Sequence, residues 1–344
     1  MAFRDLVDQD HAVMLLRSAA RGEHLSHAYL FVGPPGVGRL ETAKAFAQFV
    51  NCARPADGDA CGECRACRLI AQDQFPDVRI IDVDRGLLLD PEDTTKTFIG
   101  INQIRALRHE VVYPPLDGGT KVYILMNADR MDPTAGNSLL KVLEEPPPAV
   151  IVILIAESTV PMLPTVVSRC QLVRFSLIPT AMIEEALIER HGVHAGQARF
   201  LAALSGGQLG RAVTWATSDD ALQMRERMLD LLQRFERADP LDRLDAAEEL
   251  AKVKENLPEL LDIALFWYRD LLVWQETPDE ALLVNLDRKE TIVSLAPAID
   301  AAELNARIIA IADAKEALRR NVHPRLALET LFLGISPTTE PSPT

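Results

Sequence analysis

The sequence is poor in several features that define whole classes of protein. Its 344 residues contain no apolar run of transmembrane length, and the segment Met1–Asp5 carries no signal-peptide pattern. Basic residues are in deficit, because 36 Lys and Arg stand against 50 Asp and Glu, which gives a net charge of −14. Aromatic residues make up 5% of the chain, and no basic stripe interleaved with aromatics is present. We therefore expect a cytoplasmic protein with no membrane partner and no large nucleic-acid surface of its own.

Cysteine is also scarce, but four of the five cysteines lie close together. Their spacing is C-x8-C-x2-C-x2-C, and the ligand candidates are Cys52, Cys61, Cys64 and Cys67. Four thiolates at this spacing suit a tetrahedral zinc ion and leave it no open coordination position for catalysis. We predict a structural Zn²⁺ site in a small module at about residues 52–67. An iron–sulfur cluster is the alternative, and disulfides are disfavoured in a chain without an export signal.

The loop Gly33–Leu40 has the frame of a phosphate-binding P-loop, G-x-x-x-x-G-K-[S/T], with its last two positions altered. A predicted strand at 27–32 precedes it and a predicted helix at 41–50 follows it, which is the context that a P-loop requires. Arg39 replaces the lysine, and Leu40 replaces the hydroxyl that binds Mg²⁺. We predict a degenerate nucleotide-binding loop, in which Gly33, Gly36 and Gly38 would let backbone N–H groups come close to phosphate. A chance Gly/Pro-rich turn is the alternative.

Apolar segments alternate with helical patterns in the first half of the chain. Further strands are predicted at 77–83, 121–126, 150–155 and 172–175, and further helices at 101–107 and 137–144. This alternation predicts a parallel sheet that is covered by helices on both faces. Beyond Pro179 the pattern is helical only, and Leu257–Trp274 is apolar on nearly all sides, which indicates a buried helix.

Four sequence features in a fixed order carry a family resemblance. They are Gly22–Phe31, the four clustered cysteines, Asn137–Pro147 (NSLLKVLEEPP) and Leu163–Cys170 (LPTVVSRC). Together they resemble the clamp-loader branch of the AAA+ ATPases, over about residues 5–334. The resemblance implies an AAA+ α/β module with a RecA-like parallel sheet and the zinc insertion, followed by an all-α lid and an all-α collar. The expected boundaries are 1–177 for the α/β module, 178–218 for the lid, 219–335 for the oligomerising collar and 336–344 for a disordered tail.

The resemblance also implies a set of partners. In the bacterial DNA polymerase III clamp loader, the collars associate into a five-membered ring that loads the sliding clamp onto primed DNA. A chain of this family is expected to assemble with tau/gamma and delta subunits. It would then reach the clamp and the primed DNA through the complex.

This chain departs from the family pattern at the ATPase residues. Members that hydrolyse ATP carry an Asp-Glu pair where this chain has Met126 and Asn127. Their lid arginine falls at Gly210, beside Arg211, to which we assign no role. Together with the altered P-loop, these departures imply a subunit that does not hydrolyse ATP, and we do not expect it to bind ATP.

Arg169 keeps the family pattern. In that family the arginine of Ser-Arg-Cys reaches across a subunit interface to the γ-phosphate that the neighbour binds. Such a trans arginine contributes roughly 10³–10⁵ in rate in nucleotide triphosphatases. The resemblance implies this trans role for Arg169, and a surface arginine that closes a turn is the alternative. Cys170 is expected to be a buried small residue and not a nucleophile, because the sequence indicates no general base to activate it.

Two other classes of function stay open. An active ATPase of the tau/gamma type would need Arg39 to act as the P-loop lysine and another acid to hold Mg²⁺. A zinc-ribbon nucleic-acid-binding or repair protein would account for the cysteines, but the acidic balance of the chain disfavours it.

Overall fold

A computed structural model of the chain describes residues 2–21, 25–82, 99–218, 220–235, 240–251, 257–320 and 322–334. The chain divides into two compact units, Met1–Met182 with Gly207–Gly210, and Ile183–Gly206 with Arg211–Thr344. Among the described residues, all strands lie in the first unit and the second is helical. The predicted division into module, lid and collar stays a prediction. Gly22–His24, Val83 and the predicted tail at 336–344 lie outside the described residues.

Five parallel strands form one sheet in the first unit. They are β1 (Ala28–Val32), β2 (Val78–Ile81), β3 (Lys121–Leu125), β4 (Val150–Ala156) and β5 (Gln171–Arg174). Their order across the sheet is β2–β3–β4–β1–β5, and every neighbouring pair is parallel. All five predicted strands are therefore present, with ends that differ by one or two residues where both ends are described.

Both faces of this sheet are buried, because successive side chains along a strand point to opposite faces. Tyr29, Phe31 and Ile153 belong to the core on one face, whereas Leu30 and Leu154 belong to the core on the other. All seven residues of β4 are buried, which fits its continuous apolar sequence. The predicted parallel sheet with two covered faces is confirmed.

Six helices of the first unit cover the sheet. Helices α1 (Asp10–Arg21), α2 (Arg39–Asn51) and α3 (Arg65–Ala71) contribute to one core, and α4 (Ile101–Glu110), α5 (Pro133–Glu144) and α6 (Pro164–Val167) contribute to the other. Helix α2 begins two residues before its predicted start, so Arg39 lies in its first turn. Helix α5 begins at Pro133 instead of Asn137, because the Asp132 carboxylate accepts a hydrogen bond from the Ala135 N–H at 2.8 Å and proline suits the first helical position.

The remaining helices build the second unit, and α7 and α9 each begin in the first. They are α7 (Thr180–His191), α8 (Ala195–Leu204), α9 (Leu209–Thr217), α10 (Asp220–Phe235), α11 (Pro240–Ala251), α12 (Leu257–Glu276), α13 (Lys289–Leu295), α14 (Ala301–Arg319) and α15 (Pro324–Gly334). Helix α12 is the predicted buried helix, and Leu260, Trp267 and Tyr268 on it are buried. Within the described ranges, every helix is too short or too polar to cross a lipid bilayer.

A buried polar network centred on Asp270 joins α12 to the segment after it and to α10. The Asp270 carboxylate is fully buried and accepts hydrogen bonds from the backbone N–H groups of Val284 at 3.1 Å and Asn285 at 2.7 Å. The Asn285 side-chain oxygen accepts in turn from Arg225 at 2.9 Å, and Arg225 pairs with Asp287 at 2.7 Å. Burial would raise the pKa of Asp287, but its bond to Arg225 lowers that pKa on balance. The network fixes three chain segments to one another.

We predict that Asp270→Ala lowers the free energy of unfolding of the second unit by about 3 kcal/mol or more, because it leaves buried N–H groups without an acceptor. All three tryptophans, Trp215, Trp267 and Trp274, lie in this unit, so their fluorescence during urea unfolding measures it. Asp313→Ala, which removes an exposed carboxylate of α14, is the matched control and should change stability by less than about 0.5 kcal/mol. A loss below about 1 kcal/mol for Asp270→Ala would contradict the prediction.

Candidate functional site

The loop Gly33–Leu40 lies at the carboxyl end of β1, between the ends of β4 and β5, where open parallel sheets place ligand sites. A Cβ added to Gly33 would lie 2.5 Å from the Phe175 carbonyl oxygen, so only glycine fits there. Gly36 has φ 70° and Gly38 has φ 95°, a region that favours glycine. The three predicted glycines are thus each required by the local backbone.

The Arg39 side chain folds inward against the sheet. It is 8% exposed, and its Nη1 donates a hydrogen bond to the carbonyl oxygen of Ala156, the last residue of β4. Burial lowers the pKa of Arg39, and the nearby carboxylates of Glu157, Asp129 and Glu41 act in the opposite direction. The cation that replaces the P-loop lysine is therefore compensated by its own chain.

Two further contacts hold the loop in this form. The Gln9 side chain is buried, and its Nε2 donates to the carbonyl oxygens of Val37 and Ser176, each at 3.2 Å. The Gly210 N–H donates to the Gly36 carbonyl oxygen at 2.8 Å, and a Cβ at Gly210 would approach that backbone to 3.3 Å. The sequence carried no signal for either brace, because both partners are remote from the loop along the chain.

The two positions at which the acidic pair of the family would serve Mg²⁺ carry no carboxylate in this chain. Met126 and Asn127 directly follow β3, and Asn127 adopts a left-handed backbone with φ 51°. The Asp129 Oδ2 accepts a hydrogen bond from the backbone N–H of Glu157 at 3.2 Å. The Thr42 hydroxyl is buried and donates to the Gly38 carbonyl oxygen at 2.7 Å, so it points along its own helix.

The structure brings the four clustered cysteines together. Their sulfur atoms lie within 4.8 Å of one another, and the ligand set is Cys52, Cys61, Cys64 and Cys67. Four sulfurs bound at about 2.3 Å to one tetrahedral ion lie about 3.8 Å apart, close to the observed separations. Backbone N–H groups also point at the sulfurs: that of Cys61 at Cys52 Sγ and that of Cys64 at Cys61 Sγ, both at 3.3 Å. The donor set can hold a metal ion.

The pKa values of these thiols differ in direction. Burial acts to raise the pKa of Cys64, but hydrogen bonds from its surroundings lower it to about 6. Burial raises the pKa of Cys67, and the neighbouring sulfurs add to this effect. Four thiolates in one cluster therefore require a cation to offset their mutual repulsion, which is what a bound metal supplies.

The cysteine module is anchored to the N-terminal segment through Asp59. This carboxylate is 4% exposed and accepts hydrogen bonds from the backbone N–H groups of Phe3 and Arg4, both at 3.0 Å. The Arg4 guanidinium donates to the Cys61 carbonyl oxygen at 3.4 Å, and Gln48 of α2 donates to that of Cys67 at 2.5 Å. The module is therefore part of the first unit's framework.

Arg169 lies at the surface, in the turn between α6 and β5. Its side chain is 37% exposed, its Nη1 donates to the Thr165 carbonyl oxygen at 3.0 Å, and its Nη2 lies 2.8 Å from Glu144 Oε1. The neighbouring Cys170 is half-buried, and burial raises its pKa to about 12, which does not suit a nucleophile. Arg211 pairs with Glu259 at 2.7 Å within the second unit.

Two family models and several known proteins are similar to this chain. A family model described as DNA polymerase III, delta subunit, matches residues 8–179, and one described as its C-terminal part matches residues 219–336. The chain is 30% identical to the DNA polymerase III subunit delta' of Bacillus subtilis, over 94% of this chain and 95% of that protein. It is 35% identical to the subunit delta' of Pseudomonas aeruginosa, over 79% of each chain.

The chain belongs to the delta' family of DNA polymerase III subunits. It is also 28% identical to the subunit tau of Bacillus subtilis, but there 99% of this chain spans only 62% of the relative. The clamp-loader resemblance of the sequence is thereby confirmed at the level of the family.

Proposed function

We propose that this chain is the non-hydrolysing member of a clamp loader. In this proposal it assembles in the cytoplasm with tau/gamma and delta subunits into a five-membered ring. It supplies Arg169 to the ATP site of a neighbour and so helps to load the sliding clamp onto primed DNA. The inward orientation of the Arg39 side chain supports the proposal that the chain does not hydrolyse ATP, because this cation already donates a hydrogen bond to the Ala156 carbonyl oxygen.

The contrast between two arginines supports a role in trans. Arg39 is buried within its loop, whereas Arg169 remains more than one-third exposed at the surface. A guanidinium stabilises charge on phosphoryl oxygens without an intact nucleotide site on the chain that donates it. The same chain can therefore lose its own ATPase chemistry and still accelerate hydrolysis in a neighbour.

We also propose that the cysteine cluster holds one structural zinc ion. Cys52, Cys61, Cys64 and Cys67 would bind it through their sulfurs and leave no open position, so the metal would stabilise the module without reacting. Because Asp59 anchors this module to Phe3 and Arg4, the metal would also stabilise the N-terminal segment.

The isolated chain should neither bind nor hydrolyse Mg²⁺-ATP, because Leu40 and Met126 have no side-chain oxygen, Asn127 offers a neutral amide in place of a carboxylate, and Arg39 is already bonded. Calorimetric titration with ATP and a phosphate-release assay measure the two properties. Turnover that survives rigorous purification and disappears in an Arg39→Ala variant would refute this expectation. It would favour the active tau/gamma type of ATPase instead.

Freshly purified protein should contain about one zinc ion per chain by elemental analysis. Cys64→Ala should lose the metal and speed hydrogen exchange at the Phe3 and Arg4 amides, whereas the amides of β4 stay protected. Cys170→Ala is the matched control and should keep the metal, because that cysteine lies outside the cluster. Iron in place of zinc would support the iron–sulfur alternative, and protein free of metal would exclude both.

Arg169→Ala should leave ring assembly intact, since one exposed arginine contributes little to stability. It should sharply lower the kcat for clamp-stimulated ATP hydrolysis in the reconstituted complex, with a partial loss if several subunits hydrolyse ATP. The affected site itself should lose roughly 10³–10⁵ in rate. Arg169→Lys should not restore full activity, because one ammonium does not reproduce the paired contacts of a planar guanidinium.

Arg174→Ala, which removes an exposed arginine of β5, is the matched control for this experiment. It should leave both ATP hydrolysis and clamp loading unchanged. Wild-type rates in the Arg169→Ala complex would show that this chain serves only as a scaffold.

A further inference from the structure

Arg169 is held at both terminal nitrogens by its own chain. The Thr165 carbonyl oxygen accepts from Nη1 at 3.0 Å, and the Glu144 carboxylate lies 2.8 Å from Nη2. A guanidinium has five N–H groups, and these two contacts use one on each terminal nitrogen. Three N–H groups are left with which it could contact phosphate oxygens. These contacts thus orient the side chain and leave N–H groups available for a further partner.

The backbone of Glu144 is held in place for this contact, because Glu144 is the last residue of α5. Helix α5 is anchored by buried Leu139 and Leu143, and the Leu143 carbonyl oxygen contacts the His27 ring at 2.9 Å. A Cβ at Gly136 would lie 2.9 Å from the Leu163 side chain, so α5 packs closely against the residue that precedes α6. The helix that ends in Glu144 and the helix that precedes Arg169 are therefore held together by close packing.

The position of Glu144 is electrostatically unfavourable for the helix alone. The carboxyl end of a helix carries partial negative charge, and an acidic residue there costs stability. Arg169 offsets that cost by placing a cation beside the carboxylate. Helix stability therefore does not account for an acid at this position, whereas the orientation of Arg169 does.

We propose that Glu144 is a positioning residue that orients the Arg169 guanidinium for contact with the phosphate of a neighbouring subunit. The proposal rests on the trans role proposed above for Arg169. Glu144 acts here through Arg169 and makes no phosphate contact itself. Its loss would leave the contact with the Thr165 carbonyl oxygen and would let the arginine sample more rotamers, so fewer encounters would place the guanidinium correctly.

The test uses the reconstituted complex with Glu144→Ala, Glu144→Gln and the matched control Glu145→Ala, a neighbouring exposed carboxylate. We expect Glu144→Ala to lower the kcat of ATP hydrolysis at the affected site about two- to tenfold, because an exposed ion pair restrains a side chain only modestly. The KM for ATP and ring assembly should be unchanged. Glu144→Gln keeps an oxygen acceptor and should retain part of the lost activity, and Glu145→Ala should behave as wild type.

A double variant separates this role from a merely structural one. Adding Glu144→Ala to Arg169→Ala should cause no further loss, because the carboxylate acts only through the arginine. If Arg169→Ala lowers kcat but both Glu144 variants match wild type, the positioning role is wrong and the trans role stands. A rate increase in Glu144→Ala, or failure of both Glu144 variants to assemble, also overturns the positioning role. If Arg169→Ala has no effect, both proposals fall.

Discussion

The bond from Arg39 to the carbonyl oxygen at the end of β4 fixes the position of the cation in this loop. A guanidinium that is 8% exposed needs acceptors and compensating charge, since burial of an unpaired cation is costly. The Ala156 carbonyl supplies the acceptor, and Glu157 and Asp129 supply the charge. A triphosphate entering the loop would have to compete for Arg39 and approach these two carboxylates. The substitution therefore does more than remove a lysine, because the cation that takes its place is bonded within the chain and lies near carboxylates.

The proposed loss of nucleotide chemistry would not endanger this fold, because the packing of β1 and β4 is apolar and does not involve ligands of the loop. The braces from Gln9 to the Val37 carbonyl and from Gly210 to the Gly36 carbonyl satisfy backbone groups that would otherwise be exposed in an open loop. A loop of this shape is thus stable as a structural turn. Its glycines are required by close backbone approach and by positive φ, whether or not phosphate ever binds.

Sequence reasoning located the strands well and the contacts poorly, for different physical reasons. The strands are continuous apolar runs, so a local pattern specifies them, and β4 is buried along its whole length. The first turn of α2 is not predictable in this way, because a P-loop frame suggests coil where Arg39 is already helical. Gln9 is 28 residues from Val37 along the chain, and no local pattern links such partners. The cysteine cluster was predictable from spacing alone, because four thiols within one short segment have few other stable arrangements.

The contact between Arg169 and Glu144 could not be predicted from the sequence motifs. Both residues lie in segments that carried the family resemblance, but the contact between them is a property of how α5 packs on α6. A long side chain at a surface loses conformational entropy when it binds phosphate, and prior orientation by a carboxylate reduces that loss. The carboxylate also competes with phosphate for the same cation. At an exposed position solvent screens this competition, which lowers the electrostatic cost that the proposed positioning role must overcome. In the proposed role, the exposure of the pair is what would allow an acidic residue to assist an arginine whose target is an anion.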